Sequence, residues 1–455
     1  MQKRETSVVF SREMCIILNG RHTMKRKFID KLYEWKNNDV LKPLMVIGAR
    51  QVGKTYLINE FCKTEFNDYI YINLLDEKSI VSLFKENINT SEKIEKMQLY
   101  LNRDIKEDTV LFIDEVQESE ELISSLKYFC ESDFPYKIIC AGSLLGVKLS
   151  RFNSSFPVGK VRILKMYPMD FEEFLMALGE DNAISKIREC YSNNTQMDSF
   201  LHEKYLKYYR LYLCVGGMPD AIANLINNDL DILKFDKTIL SSIFTSYTAD
   251  MTKYVYNKFE SAKIERVYNT IPRQLLKENK KFQYSAIDKG ARSRDYSSSL
   301  EWLISSNLII PAYYVNKFES PLKGYMDDNV FKLYISDVGL LSSILNVAYN
   351  KILLGEKLEY LGAIAENYVA NELVFNGYDL YYWSSNRVAE IDFLIDTEEG
   401  VIPIEVKASD NVNSKSLNYY ISKYKPKYSI RISTKNFGFD NNIKSVPLYA
   451  VFCIK

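Results

Sequence analysis

The chain has 455 residues, which is enough for about two to four domains, and it carries 59 basic and 59 acidic side chains. This balance excludes a polyanion-binding surface spread over the whole chain, so a nucleic-acid contact would have to be a local patch. The seven cysteines are scattered and form no CxxC pair. They argue against a disulfide framework or a zinc site and predict a reduced, cytoplasmic protein. No apolar run reaches the ~20 residues that span a bilayer, so we expect no membrane partner.

The first part of the chain predicts an α/β core. Residues 1–23 are polar and mixed, and two interpretations stay open for them: a disordered N-terminal extension, or a segment upstream of a true start at Met24. Between residues 44 and 166, five short apolar strands alternate with helical stretches, a rhythm typical of a parallel sheet with helices on both faces. We therefore assign 24–167 to this core and the helical, aromatic stretch 168–262 to a lid or linker.

A phosphate-binding loop is predicted at GARQVGKT, which follows the apolar strand LMVI and precedes a helical pattern. Gly48 and Gly53 let the backbone approach phosphates closely. Lys54 is expected to reach the β- and γ-phosphates of ATP, and Thr55 to bind Mg²⁺. The predicted ATP-binding residues of the loop are Gly48, Ala49, Arg50, Gln51, Val52, Gly53, Lys54 and Thr55.

A pair of acidic residues completes the predicted nucleotide site. The apolar strand VLFI delivers Asp114 and Glu115 to its carboxyl end. There Asp114 is expected to hold the Mg²⁺ shell and Glu115 to polarise the attacking water. The next strand, KIICA, is followed by Ser143, which is placed to sense the γ-phosphate. The alternative interpretation of the acidic pair is a solvated strand end.

Five motifs, in this order, resemble the archaeal-ATPase-like branch of the AAA superfamily over residues 24–250: GARQVGKT, VLFIDEVQ, AGSLLG, SFPVGKVRILKMYPMDFEEFL and VGGMPD. The resemblance implies an AAA-type sheet order, with Asp114, Glu115 and Ser143 in Walker B and sensor roles. It also implies ATP-coupled remodelling, defence or nucleic-acid handling. It leaves open whether the chain forms a homo-oligomer, because AAA relatives often form rings and this branch need not.

One position departs from the pattern of that family. Relatives commonly carry Gly-Arg where this chain has Gly159-Lys160, so the identity of an arginine finger stays open. Arg151 and Arg162 are the nearest substitutes, and a solvated basic face is the alternative for all three basic residues. If Lys160 takes the role, we expect slow hydrolysis, because an ammonium cannot replace a bidentate guanidinium.

Residues 263–333 predict a winged helix-turn-helix, because a helix, a short segment, a second helix and a strand follow one another. In the second helix, SRDYSSSLEWLISSN, we expect Leu300, Leu303 and Ile304 to pack inward. The polar residues left for DNA contact are Arg292, Arg294, Tyr296, Ser297 and Ser298. Further basic charge nearby comes from Lys277, Lys280, Lys281 and Lys289. A protein-docking module or an ATPase lid is the alternative to DNA binding.

Residues 334–455 predict a separate α/β module with a carboxylate cluster. EIDFLID and VIPIEVKA are joined by TEEG, which predicts an antiparallel hairpin with Asp392 opposite Glu405 and Glu390 opposite Lys407 on one face. Opposed carboxylates with β-carbons ~5 Å apart repel each other. The pair therefore predicts a divalent cation, Mg²⁺ or Mn²⁺, between them. Glu366, on the preceding helix, is either a third ligand or an exposed helical glutamate.

A helix and two strands carry residues in an order that resembles the PD-(D/E)xK nuclease superfamily over about residues 356–435. These residues are Glu366, Asp392 and the segment Glu405-Val406-Lys407. This half also looks like the uncharacterised C-terminal domain that commonly follows this ATPase branch. The nuclease resemblance implies metal held by Asp392 and Glu405 and water oriented by Lys407. Two hypotheses stay open, because members can lose activity and keep the fold. One is an ATPase coupled to a metal-dependent DNA nuclease, and the other is a nucleotide-gated interaction or DNA-binding regulatory protein with an inactive nuclease fold.

Overall fold

The structure is a computed structural model, and it describes residues 15–18, 22–38, 42–131, 136–143, 145–150, 156–157, 159–253, 258–385, 388–410 and 414–455. Within these ranges the residues divide into two compact units. The first comprises residues up to 45, 54–141 and 157–164, and the second comprises 46–53, 142–156 and 165–455. Across the same ranges, none of the helices is both long enough and apolar enough to cross a bilayer.

The five strands that we predicted between residues 44 and 166 are all present. The described strands of the first half are β1 Cys15–Leu18, β2 His22–Lys25, β3 Leu44–Ile47, β4 Asp68–Asn73, β5 Thr109–Asp114, β6 Lys137–Gly142 and β7 Arg162–Lys165. Those of the second half are β8 Ile309–Val315, β9 Met326–Ile335, β10 Leu380–Ser385, β11 Ala389–Thr397, β12 Gly400–Val406, β13 Ser429–Ser433, β14 Gly438–Asp440 and β15 Ile443–Pro447.

Helices fill the connections between these strands. The described helices as far as the end of the predicted lid are α1 Phe28–Lys36, α2 Lys54–Glu65, α3 Lys78–Phe84, α4 Thr90–Leu101, α5 Glu120–Glu131, α6 Leu145–Ser150, α7 Phe171–Ala177, α8 Asp181–Asn193, α9 Ser199–Val215, α10 Pro219–Asn227 and α11 Thr238–Lys253. They are followed by α12 Lys258–Leu275, α13 Ser293–Ser305, α14 Val338–Ile344, α15 Tyr349–Leu353, α16 Leu361–Phe375 and α17 Lys415–Tyr424.

The N-terminal sheet has the strand order β4-β5-β6-β3-β7. The pairs β4–β5 and β5–β6 are parallel, which confirms the predicted parallel sheet. All six residues of β5 are buried, because this strand lies between two others and carries apolar side chains on both faces. A parallel arrangement brings the carboxyl ends of β4, β5 and β6 to one edge of the sheet, where Asp114 ends β5.

The N-terminal extension contains a structural element that its polar composition did not indicate. Strands β1 and β2 pair antiparallel, with Ile16 opposite Met24. Residues 1–14 and 19–21 lie outside the described part of the chain, and both interpretations of the extension concern mainly these residues.

The C-terminal sheet has eight strands in the order β14-β15-β13-β12-β11-β10-β8-β9. Strand β8, which we predicted as the last element of a winged helix-turn-helix, forms a hairpin with β9 and joins this sheet through the parallel pair β8–β10, with Ala312 beside Leu380. The predicted boundary between residues 333 and 334 therefore falls inside β9. The winged helix is not confirmed, because its predicted strand is part of the larger sheet.

The predicted recognition helix, α13, packs against α12 and is only partly as expected. Leu300 and Leu303 are buried as predicted, whereas Ile304 is half-buried. Tyr296, which we expected to be available to DNA, is 5% exposed, and its hydroxyl donates to the carboxylate of Asp288. The other residues that we predicted for DNA contact are all exposed: Arg292, Arg294, Ser297 and Ser298.

Candidate nucleotide site and C-terminal carboxylate cluster

Two glycines shape the predicted phosphate-binding loop, which follows β3 and ends where α2 begins at Lys54. A Cβ atom on Gly48 would lie 2.2 Å from the backbone oxygen of Met166, so no larger residue fits there. Gly53 has φ +92°, a conformation that glycine adopts without strain. Between them Val52 is fully buried and anchors the loop. The loop therefore has the local features that close approach of a backbone to phosphate requires.

The two predicted magnesium ligands contact each other. Thr55 Oγ1 donates to Asp114 Oδ2 at 2.6 Å, and the hydroxyl of Tyr71 donates to the same oxygen at 3.3 Å. Asp114 is 4% exposed. Burial and the adjacent Asp114 carboxylate raise the pKa of Tyr71, so this phenol stays a hydrogen-bond donor. A buried carboxylate beside a threonine hydroxyl is a donor set that suits hydrated Mg²⁺.

Glu115 has an unusual backbone conformation. Its φ is +52°, in the left-handed region that non-glycine residues rarely adopt and that is typical of functional sites. The amide of Gln117, a residue that is 1% exposed, donates from Nε2 to Glu115 Oε2. Gln117 was not among the residues predicted from the sequence, although its place two residues after the acidic pair in DEVQ was a usable signal. The contact holds the Glu115 carboxylate in one orientation.

The other predicted residues of the nucleotide site occupy different surroundings. Ser143 comes directly after β6 and is 8% exposed. Lys160 pairs with Glu131 at 2.8 Å, and Arg162 pairs with Glu34 at 3.0 Å, both at the surface. Arg151 lies outside the described residues. A finger role for Lys160 or Arg162 stays a prediction that would require these ion pairs to open.

The C-terminal hairpin has the expected register. Asp396 lies opposite Val401 and Phe393 opposite Ile404, which places Asp392 beside Glu405 one step further. The backbone N–H of Val406 donates to Asp392 Oδ2 at 2.8 Å. The predicted register is confirmed for the pairs from Phe393 and Ile404 to the turn. The predicted partners Glu390 and Lys407 make other ion pairs, because Glu390 contacts Lys332 and Lys407 contacts Glu405.

Glu405 is buried in this hairpin. It is 3% exposed, and its Oε1 lies 3.0 Å from Lys407 Nζ. Among the described residues, its Oε2 has no hydrogen-bond partner. This oxygen is therefore an acceptor that a further ligand could use.

Glu366 is buried on α16, so the alternative of an exposed helical glutamate is wrong. Its Oε1 accepts a hydrogen bond from the Tyr334 hydroxyl at 2.6 Å and lies 3.3 Å from Lys332 Nζ. Its Oε2 contacts Lys280. The side chain of Lys332 is fully buried in β9 and also lies 2.6 Å from Glu390 Oε1. We call the seven residues Glu366, Glu390, Asp392, Glu405, Lys280, Lys332 and Lys407 the lysine–carboxylate cluster.

Charges within the cluster largely cancel. Burial and the neighbouring Glu366 carboxylate raise the pKa of Asp392. Burial would also raise the pKa of Glu366, but Lys280 and Lys332 lower it below its ordinary value. Burial opposes the charged form of Lys332, yet the carboxylates of Glu366 and Glu390 raise its pKa. When Asp392 holds a proton, three carboxylates face three ammonium groups.

The donor set does not fit the metal that the nuclease resemblance implied. In the ranges that the structure describes, no group of three or more His, Cys, Asp or Glu side chains is arranged to hold a metal ion. The predicted ligands Glu366, Asp392 and Glu405 do not form such a group, because Glu366 is engaged with two lysines. Lys332 was not among the residues predicted from the sequence, although a lysine inside the apolar run VFKLYI was a signal of a buried partner.

Three family models match successive parts of the chain. Residues 41–175 match a family described as an AAA domain. Residues 206–351 and 361–451 match two domains of unknown function, DUF8612 and DUF4143.

Full-length relatives are distant. An uncharacterised protein of Methanocaldococcus jannaschii is 25% identical over 355 residues, which cover 77% of this chain and 71% of that protein. An uncharacterised protein of Haemophilus influenzae is 22% identical over 396 residues, which cover 84% and 86% respectively. Among solved structures, the Walker-type ATPase of Pyrococcus abyssi is 16% identical, with a TM-score of 0.42 over 70% of this chain and 94% of that one. Residues 41–175 are thus similar to AAA domains, and the contact of Thr55 with Asp114 at the end of β5 lies within the matched segment.

Proposed function

We propose that the chain binds ATP with Mg²⁺ and hydrolyses it, and that the nucleotide state controls a C-terminal half that binds a partner without cutting it. The observation that carries the first part is the 2.6 Å contact between Thr55 Oγ1 and Asp114 Oδ2. It brings the hydroxyl of the phosphate-binding loop to the carboxylate of β5, which is the pairing that a shared Mg²⁺ needs.

The residues of the loop and those at the end of β5 have different roles in the proposed hydrolysis. Loop amides and Lys54 bind the β- and γ-phosphates and oppose the charge that develops during transfer. Thr55 and Asp114 would hold Mg²⁺, which supplies further charge neutralisation when it is bound. Glu115 orients the attacking water and accepts its proton. Gln117 keeps the Glu115 carboxylate in place for that transfer.

The substitution Lys54→Ala tests ATP binding by this site. In isothermal titration calorimetry we expect wild-type protein to bind ATP in the presence of Mg²⁺. The variant should bind at least about tenfold more weakly, because one charge-assisted contact to phosphate is lost. Lys63→Ala on the same helix is the control, because Lys63 is exposed and pairs with Glu60 on the helix surface. Equal affinity of the Lys54→Ala variant and the wild type would refute the assignment.

The lysine–carboxylate cluster favours a C-terminal half that binds and does not cleave. Lys332, with a fully buried side chain, provides positive charge to two carboxylates of the cluster, Glu366 and Glu390. This supports the hypothesis of a nucleotide-gated interaction or DNA-binding protein with an inactive nuclease fold. Arg292 and Arg294, exposed at the start of α13, support DNA as the partner.

We accordingly expect no metal-dependent DNA cleavage. Linear, nicked and single-stranded DNA should stay intact with Mg²⁺ or Mn²⁺, with and without ATP, because the cluster already neutralises its own carboxylates. Gel electrophoresis of the DNA after incubation measures this. Cleavage by the wild type that disappears in the Asp392→Ala variant would contradict the expectation and support an active nuclease instead.

A further inference from the structure

We infer that Tyr247 and Asp250 of α11 are positioning residues of the phosphate-binding loop and set its affinity for ATP. Both contact the same loop residue, Arg50, although they lie about 200 residues later in the chain. The inference rests on the proposed ATP binding and adds residues that lie outside the loop motif and outside the matched AAA domain.

The contact of Tyr247 is with the backbone. Its hydroxyl donates to the backbone oxygen of Arg50 at 3.0 Å, and its side chain is 1% exposed. A trans peptide is planar, so its carbonyl and its N–H point in opposite directions. Fixing the oxygen of Arg50 toward Tyr247 therefore aims the N–H of Gln51 away from α11. This N–H is one of the loop amides that bind phosphate.

The same peptide needs such support. Gln51 has φ +63°, a left-handed conformation that costs a non-glycine residue free energy and persists where neighbouring contacts hold it. The carbonyl bond from Tyr247 acts directly on the peptide that precedes Gln51. Without it, the loop can relax to conformations in which this N–H no longer faces the ligand.

Asp250 holds the side chain of the same loop residue. Arg50 Nη1 lies 2.7 Å from Asp250 Oδ1, and the side chain of Asp250 is 7% exposed. Tyr247 and Asp250 are three residues apart, so they lie on one face of α11. A charge-assisted bond to a buried carboxylate is stronger than a surface ion pair. Together, the two contacts fix both the backbone and the side chain of Arg50.

The chain offers a matched pair of substitutions to test this role. Tyr247→Phe removes the hydroxyl that bonds to the loop. Tyr268→Phe removes a hydroxyl that is equally buried, on the neighbouring helix α12, and that has no hydrogen-bond partner within the described residues. The ring of Tyr268 stacks on Phe244 of α11, so both tyrosines belong to the same packed region. A general effect on folding or packing of removing a buried hydroxyl from this region should therefore appear in both variants.

Calorimetric titration of the full chain with ATP and Mg²⁺ is the measurement, with melting temperature recorded for each variant. We expect Tyr247→Phe to raise the dissociation constant about fivefold, the effect of one hydrogen bond, and Tyr268→Phe to leave it unchanged. In steady-state turnover the Tyr247 variant should show the same rise in KM, with kcat within about twofold, because Lys54 and Glu115 are untouched.

Three outcomes would overturn the inference. If both variants bind ATP as wild type does, or if both are weakened equally, the hydroxyl of Tyr247 does not position the loop. A lower melting temperature of the Tyr247 variant without a change in affinity would assign it a structural role only. In each of these cases the proposed function is still supported if the wild type binds ATP. A wild type that does not bind ATP would refute both the proposed function and this inference.

Discussion

Glu115→Gln is expected to reduce ATP turnover by about 100-fold or more while leaving ATP binding close to that of wild type. Glutamine cannot accept the proton of the attacking water, and general-base catalysis contributes roughly 100- to 10,000-fold to such reactions. Phosphate binding depends on Lys54 and on the loop amides, which this change does not touch. Phosphate release and calorimetric titration, measured on the same preparation, separate the two effects.

Glu118→Gln is the control for this prediction. Glu118 lies in the same turn, and it pairs with Lys78 at 3.5 Å, away from the predicted chemistry. The same chemical change there should leave turnover within about twofold of wild type. Turnover by the Glu115→Gln variant at the wild-type rate would show that Glu115 is not the base, and its left-handed backbone would need another explanation.

Lys332→Met is expected to cause the largest loss of stability among the substitutions that we propose. Removing one partner of a buried ion pair leaves an uncompensated charge, at a cost of about 3–5 kcal/mol. Here the side chain of Lys332 is fully buried and contacts both Glu366 and Glu390. Methionine is also unbranched and is only one heavy atom shorter than lysine, so the loss reflects mainly the missing charge rather than a cavity. Urea denaturation followed by the fluorescence of the tryptophans, including Trp383 of the same sheet, measures it.

Lys427→Met is the control for Lys332→Met, because it removes the same charge from an exposed ion pair. Lys427 pairs with Glu399 at 2.9 Å, but the two side chains are 63% and 52% exposed. Exposed pairs contribute little, so this variant should stay close to wild type. The double variant Lys332→Met, Glu366→Gln should recover part of the loss, because it removes one of the stranded carboxylate charges. A Lys332→Met variant as stable as Lys427→Met would mean that the lysine–carboxylate cluster does not depend on its buried lysine.

The nucleotide site was predictable from the sequence because its signals are local. Gly48, Gly53 and Lys54 are adjacent in one motif, and the fully apolar run before Asp114 identified a central strand. The C-terminal hairpin was predictable for the same reason, since a four-residue turn sets which residues face each other. The predicted register agrees with the observed pairing of Asp396 and Val401.

The parts that could not be predicted depend on contacts between residues that are distant in sequence. Parallel pairing of β8 with β10 has no turn to reveal it, so the sequence did not indicate that β8 belongs to the C-terminal sheet. Lys332 reaches the C-terminal carboxylates only through that pairing. The burial of Tyr296 was not predicted, because its hydrogen-bond partner Asp288 lies in the loop before α13. Tyr247 likewise meets Arg50 only in the folded chain.

The most direct test is phosphate release from ATP by purified wild-type protein and by the Lys54→Ala variant, with Mg²⁺ present. We predict steady release by the wild type that falls to background in the variant. Release that is absent from the wild type, or that persists unchanged in the variant, would contradict ATP hydrolysis at the loop from Gly48 to Thr55.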